Sequence, residues 1–361
     1  MTMRKVFLLT TCVAGSLSWL STAAWATSED TCYTSGSGAS ASYSGCGTNP
    51  TVSGATQTQG EVTRTTTTTV TTTIASHVSG ILGGSGRSSR TAGMMETGVS
   101  AGDGSINQAL WVSMGANTLS STVSGAAYSG TMSNQTAGYD VMVNERTVVG
   151  VSVFRQGDTF QTDFNAGNLR GDSWWLVPYA GYDFGQGSTV DAMVGVAYAS
   201  GKASRAAGNA EGHYDGYRTM VAVNGHHNWG LGNDLFLRGD VGLSGAYSRT
   251  NGYDETGTAA RHVDASTSHL LQGKAGARLS YAWDRVEPYV SAYYAYDFVG
   301  DYVGDSGIAP GGSKDADEFQ FYLGLDWYAT DTESVGLEIN RVVGRDRSEA
   351  MGLMMNGRLR F

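Results

Sequence analysis

The chain has 361 residues, and its 23 Lys and Arg against 33 Asp and Glu leave a net charge of −10, which excludes a basic surface for gripping nucleic acid. Glycine, at 51 residues, is about twice ordinary usage, while only four prolines occur and 16% of residues are charged, a profile suited to many turns and close strand packing. Beyond residue 26 no run of 18 apolar residues occurs, which excludes a helical membrane protein.

The N-terminus places Arg4 and Lys5 before an apolar stretch that ends at Ala24-Trp25-Ala26, a small-x-small cleavage pattern. Residues 1–26 are therefore expected to be a secretory signal, too polar at Thr10, Thr11, Ser16 and Ser18 to span a bilayer. Export to an oxidising compartment would let Cys32 and Cys46 pair, closing a loop worth roughly 3 kcal/mol in the chain-entropy model. No histidine or acidic cluster lies nearby, so a metal site there is disfavoured. Residues 27–60, rich in Thr, Ser, Gly and Ala, form a tail too short for a domain. Residues 61–106 form a Thr/Gly-rich linker. In it a β-branched run from Thr63 to Thr73, a poor helix former, precedes a short helical candidate from Ile74 to Leu82.

From residue 107 to the end, segments of about ten residues alternate apolar and polar positions, as half-buried strands do. Leu235, Leu237, Val241, Leu243 and Tyr247 share one face of such a segment, and Arg238, Asp240 and Ser244 share the other. Phe319, Phe321, Leu323, Leu325 and Trp327 stand opposite Glu318, Gln320, Tyr322 and Asp326. Leu271, Ala275, Leu279 and Tyr281 stand opposite Lys274 and Arg278. At the end, Leu353, Met355, Leu359 and Phe361 alternate with Asn356, Arg358 and Arg360. Twelve strands are expected, near 109–117, 136–144, 147–156, 171–184, 188–199, 214–229, 235–247, 267–282, 286–298, 318–329, 334–343 and 348–361.

Five connections between these strands are short, such as Gly185-Gln186-Gly187, and they alternate with five long polar ones around 118–135, 157–170, 200–213, 248–266 and 299–317. An even number of antiparallel strands, short turns at one end, long loops at the other and aromatic girdles together describe an all-β transmembrane barrel. Trp174, Trp175, Tyr182, Phe184, Trp229, Trp283, Phe298 and Trp327 are the girdle candidates. A soluble sandwich would not aim Arg238, Asp240, Lys274, Arg278, Asp326, Glu338, Arg358 and Arg360 all to one side. A barrel would turn them into a wet lumen of paired charges while its apolar face meets lipid with no open edge.

With a signal, a tail, a linker and twelve strands ending in Arg358-Leu359-Arg360-Phe361, residues 75–361 resemble the autotransporter translocator domain of type V secretion. The resemblance rests on architecture and the terminal strand, and it implies a bacterial outer-membrane barrel that carries its own N-terminal segment to the cell surface. It implies as partners outer-membrane lipid, periplasmic chaperones and the barrel assembly machinery, the last reading Phe361, Leu359, Met355 and Leu353. It also implies that residues 74–106 plug the lumen. Members that cut themselves use a linker asparagine, but none occurs between Asn49 and Asn107, so no such autocleavage is expected. A free-standing barrel acting as a pore, adhesin or structural protein through its long loops is the alternative, with the tail facing inward.

No enzyme, cofactor or metal is expected. Adjacent His226 and His227 point to opposite faces of a strand and cannot chelate one ion. His213 and His262 fall in outer loops beside Asp215, Asp254, Glu255 and Asp264, where solvated charges are commoner than a rim hydrolase. No Gly-x-Ser-x-Gly elbow or phosphate loop is present.

Overall fold

The computed structural model describes residues 33–35, 42–44, 53–82, 108–122, 127–300, 316–330, 332–345 and 348–361. Twelve antiparallel strands form the wall: β1 Gln108–Ser121, β2 Tyr128–Asn144, β3 Thr147–Thr162, β4 Gly167–Gly185, β5 Ser188–Arg205 and β6 Ala210–Gly232. They continue as β7 Leu235–Thr250, β8 Ser266–Tyr281, β9 Val286–Gly300, β10 Asp317–Tyr328, β11 Glu333–Val343 and β12 Ser348–Arg360. Each strand pairs with its chain neighbour, and β12 returns to β1 through Leu359 opposite Leu110 and Arg360 opposite Ala109, closing the barrel. The last backbone pair, Phe361 N–H to Gln108 O at 2.9 Å and Gln108 N–H to Phe361 O at 3.2 Å, seals that seam.

The alternation sorts the side chains as expected for a membrane wall. Val241, Leu243, Leu323 and Leu325 lie outward and exposed, whereas Glu318 and Gln320 are buried inside. Short turns join β2–β3, β4–β5, β6–β7, β8–β9 and β10–β11 at one end. In the β6–β7 turn both Asn233 and Asp234 have positive φ, the backbone that a two-residue hairpin needs.

The opposite end differs from the loop pattern read in the sequence. Much of the stretches around 118–135, 157–170 and 200–213 is strand: β3 and β4 are separated only by residues 163–166, and β5 and β6 only by 206–209. The strands β4, β5 and β6 run 19, 18 and 23 residues, against 12, 11 and 13 for β10, β11 and β12. A transmembrane strand needs about 9–11 residues, so β4–β6 rise past the membrane as a half-collar. The polarity that suggested loops belongs to the outer surface of this collar, at positions such as Arg170, Lys202 and His213. Between β7 and β8 a rim hairpin, Tyr253–Thr256 with His262–Val263, folds back onto β6 through Glu255 opposite Gly212.

One helix, α1 Gly54–Leu82, occupies the lumen. It begins twenty residues before the helical candidate at Ile74 and runs through the whole threonine stretch, reaching into the segment read as tail. Nine threonines in place of alanine disfavour a helix by roughly 5 kcal/mol. Burial outweighs that, since Val62, Val70, Ile74 and Val78 are enclosed and each fully buried aliphatic side chain contributes about 1.5–3 kcal/mol. Enclosure also demands partners for the buried hydroxyls, and the helix backbone supplies several of them. Thr63, Thr67 and Thr71 each donate to the carbonyl four residues back at 2.7 Å, and Thr66 does so at 2.6 Å. Ser53 caps the start, its Oγ accepting the Ala55 N–H at 3.2 Å.

Residues 33–35 and 42–44 pair as a short antiparallel ribbon. The expected signal at 1–26, Cys32 and Cys46, and the linker from residue 83 to 107 lie outside the described residues.

Candidate functional site: a lumen holding a helix

α1 packs most closely against β3–β8, and the lumen wall is divided accordingly. On the β3–β6 side, Val148, Phe154, Trp175, Val177, Tyr179, Met193 and Met220, with Trp111 of β1, form an apolar cluster around Val70, Ile74 and Val78. This half corrects the expectation of a lumen of paired charges throughout, and it moves Trp175 from the outer girdle to the interior. The signal was readable at residues 174–179, where apolar residues sit on both faces and alternation fails. β4 approaches the helix so closely that a Cβ on Gly181 would collide with Val78 and Leu82. The other girdle candidates, Trp174, Tyr182, Phe184, Trp229, Trp283, Phe298 and Trp327, are exposed outward.

The charged half lies on β7–β12, and the residues read as lumen-facing gather there. Arg238 pairs with Asp240 at 2.9 Å and donates to Ser79 on α1 at 3.0 Å. Lys274 donates to Thr72 on α1 at 3.0 Å, and Arg278 pairs with Asp326 at 2.8 Å while stacking on Tyr289. Glu338 accepts from Tyr289 at 2.8 Å. Arg358 borders a cavity of about 110 Å³ between α1 and this wall, near the short-turn end, with Asn356, Arg238, Arg278, Asp326 and Glu338. Arg360 follows on the same face of β12, opposite Ala109. A second space of about 60 Å³ shares Thr73, Glu338 and Met354 with the first and continues toward the other end.

Sequence reasoning missed the contacts that fasten the helix at its two ends. Near the collar end, Arg64 donates to Asp297 of β9 at 3.0 Å and also pairs with Glu61. Arg345, from the β11–β12 link, binds the same Asp297 at 2.9 Å and Glu318 at 2.6 Å. Near the short-turn end, His77 Nε2 lies 2.6 Å from Asp140 of β2, and its ring stacks on Trp111 at 4.4 Å. Tyr179 donates to the same carboxylate at 3.0 Å, and Trp111 donates to Tyr179 at 2.8 Å. Neither Arg64 nor His77 stood out earlier, because a lone cation in a polar linker reads as solvated. Only its burial in the lumen makes a partner obligatory.

The histidines outside the helix divide as the strand period requires. His226 faces inward between Asp191 at 2.7 Å and Asp240 at 2.5 Å, and His227 faces outward beside Ser188 at 2.7 Å and Trp229. At the rim, His262 bonds Asp254 at 2.7 Å, both solvent-exposed, and no group of three metal-binding side chains forms among the described residues. The hydrogen bond to Asp254 raises the His262 pKa above its ordinary value near 6.5. Because the folded value is raised, this contact is fully made below pH ~6.5 and is lost as pH rises through the folded pKa. Histidine NMR titration should show His262 titrating high and Asp254→Asn returning it toward 6.5; an unmoved titration would mean that the carboxylate is not its partner.

The helix has a direction. Its first residues meet the collar, where Ala55 and Val62 pack among Tyr128, Phe160, Leu169, Tyr214 and Tyr253 and where Ser53 bonds the Tyr253 hydroxyl at 2.7 Å. Its last residues, Ile81 and Leu82, pack beside Val148 and Tyr179 near the short turns. The chain therefore passes end to end through a closed barrel whose first strand starts at the short-turn end.

The barrel fold recurs in solved structures. The chain superposes on the translocator domain of the autotransporter NalP from Neisseria meningitidis with a TM-score of 0.61 at 18% identity, covering 76% of this chain and 95% of that one. It superposes on the β domain of the Bordetella autotransporter BrkA with a TM-score of 0.57 at 14% identity, covering 71% and 100%. For the transport unit of AIDA-I from Escherichia coli the TM-score is 0.51 at 11% identity, covering 77% and 98%. No curated protein matches the chain in sequence. The family model described as the autotransporter β-domain matches residues 110–340, well over half of the chain. The chain belongs to the autotransporter β-domain family, whose barrels anchor in the bacterial outer membrane and translocate an N-terminal passenger.

Proposed function

We propose that this barrel exports the segment preceding Ser53 to the cell surface and then retains α1 in its lumen as a plug. The observation that carries the reading is the polarity of α1: its first residues reach the collar, and its last residues lie near the short turns, which face the periplasm in outer-membrane barrels. A free-standing barrel with an inward tail would need the opposite polarity. An epitope inserted after Asn49 should be labelled by an impermeant antibody on intact cells; labelling only after permeabilisation would reject export.

The final strand supports the expected role of Phe361, Leu359, Met355 and Leu353 as the signal for the assembly machinery, reached with the help of periplasmic chaperones. Phe361 is half exposed at the seam and supplies the closing backbone pair with Gln108. Removing it should lower heat-modifiable barrel in outer membranes several-fold, whereas unchanged amounts would rule out the signal. The barrel acts without catalysis in this reading.

A further inference from the structure

The sequence of α1 nearly repeats itself from one turn to the next. Moving the helix along its axis by four residues toward the short turns, about 6 Å, puts Val70, Ile74 and Val78 where Ile74, Val78 and Leu82 now sit, so most of the apolar cluster would refill, and it brings Thr69 to the place of Thr73. The same slip puts Thr68 where Thr72 now accepts from Lys274, hydroxyl for hydroxyl. Backbone-directed threonine bonds travel with the helix and oppose no slip. Along Thr68–Val78, packing and hydroxyl contacts alone therefore specify the axial position of the helix weakly.

Only three ionisable residues interrupt the pattern, Glu61, Arg64 and His77. Arg64 meets Asp297 and His77 meets Asp140, on opposite sides of the threonine run. Thirteen residues separate them, about 20 Å of helix. A one-turn slip would carry both from their carboxylates at once, breaking two buried contacts while Arg64 keeps Glu61, which travels with it. Asp297 stays held by Arg345 and Gln272, and Asp140 by Tyr179, so both acceptors are fixed to the wall before the helix seats.

We propose that Arg64 and His77 are registry pins that halt the exported chain at one position, and thereby set how much of it lies outside. This rests on the plug reading. A buried polar residue that selects one register among near-equivalent ones has precedent in coiled coils.

Thr73 Oγ1 lies 3.5 Å from Met354 Sδ, which supplies a register gauge. In a background with Cys32 and Cys46 replaced by Ser, Met354→Cys is combined with either Thr73→Cys or Thr69→Cys and oxidised in folded barrels. With the pins intact, crosslinking should form at position 73 and be several-fold weaker at 69. In Arg64→Met/His77→Leu, crosslinking at 69 should rise to rival that at 73. The same spread is expected when the acceptors are altered instead, in Asp297→Asn/Asp140→Asn, so poor assembly of one variant leaves the other as the test. Crosslinking confined to position 73 in both pinless variants would overturn the pins. Absence of crosslinking at either position with the pins intact would instead overturn the plug on which they rest.

Discussion

Deleting Gly54–Leu82 should raise single-channel conductance in planar bilayers on the order of tenfold, because the helix and the lumen are closely matched in width. Twelve strands tilted about 40° set a backbone radius of roughly 12 Å, and side chains on the inner wall reduce the free bore to about the 10–12 Å diameter of one helix. With α1 seated, the spaces left along the β7–β12 side are about 110 and 60 Å³. Removal would expose an apolar wall on β3–β6 beside a charged one on β7–β12, a wide and mainly hydrated pore. The open barrel should also lose some resistance to heat, since Val62, Val70, Ile74 and Val78 would no longer cover their partners. Conductance equal to that of the full chain would mean that the helix does not obstruct the lumen.

Leu323→Arg is expected to destabilise the folded barrel in lipid by about 2–4 kcal/mol, the cost of an arginine near the bilayer midplane on the outer face of a barrel. Leu323 lies on β10 between Val290 and Ile339, all three exposed outward. The matching control is Asn340→Lys on β11, which lines the lumen beside Glu318 and Glu338 and should stay within about 1 kcal/mol. Denaturant titration of both variants refolded into vesicles separates them. Equal midpoints would mean that Leu323 does not face hydrocarbon, and the wall would then have been assigned inside out.

Strand number, the face each side chain takes and the inward set Arg238, Asp240, Lys274, Arg278, Asp326, Glu338, Arg358 and Arg360 were legible along the chain. In a strand each residue's side follows from a local period of two, and lipid outside with water inside stamps that period onto composition. Strand ends at the collar were not legible. A polar residue on the outer wall above the membrane has the same chemistry as one in a loop, and only pairing, as of Ser204 with Glu211, distinguishes them. Nor did residues 54–73 announce a helix, for their threonines favour one only where a lumen buries Val62 and Val70 and turns hydroxyls such as those of Thr63, Thr67 and Thr71 back onto the helix backbone. The pairing of Arg64 with Asp297 and of His77 with Asp140 spans 233 and 63 residues. The sequence by itself determined an outer-membrane wall with its inside and outside. The tertiary structure alone decided what fills it, because a helix held by burial and by distant carboxylates has no local pattern to read.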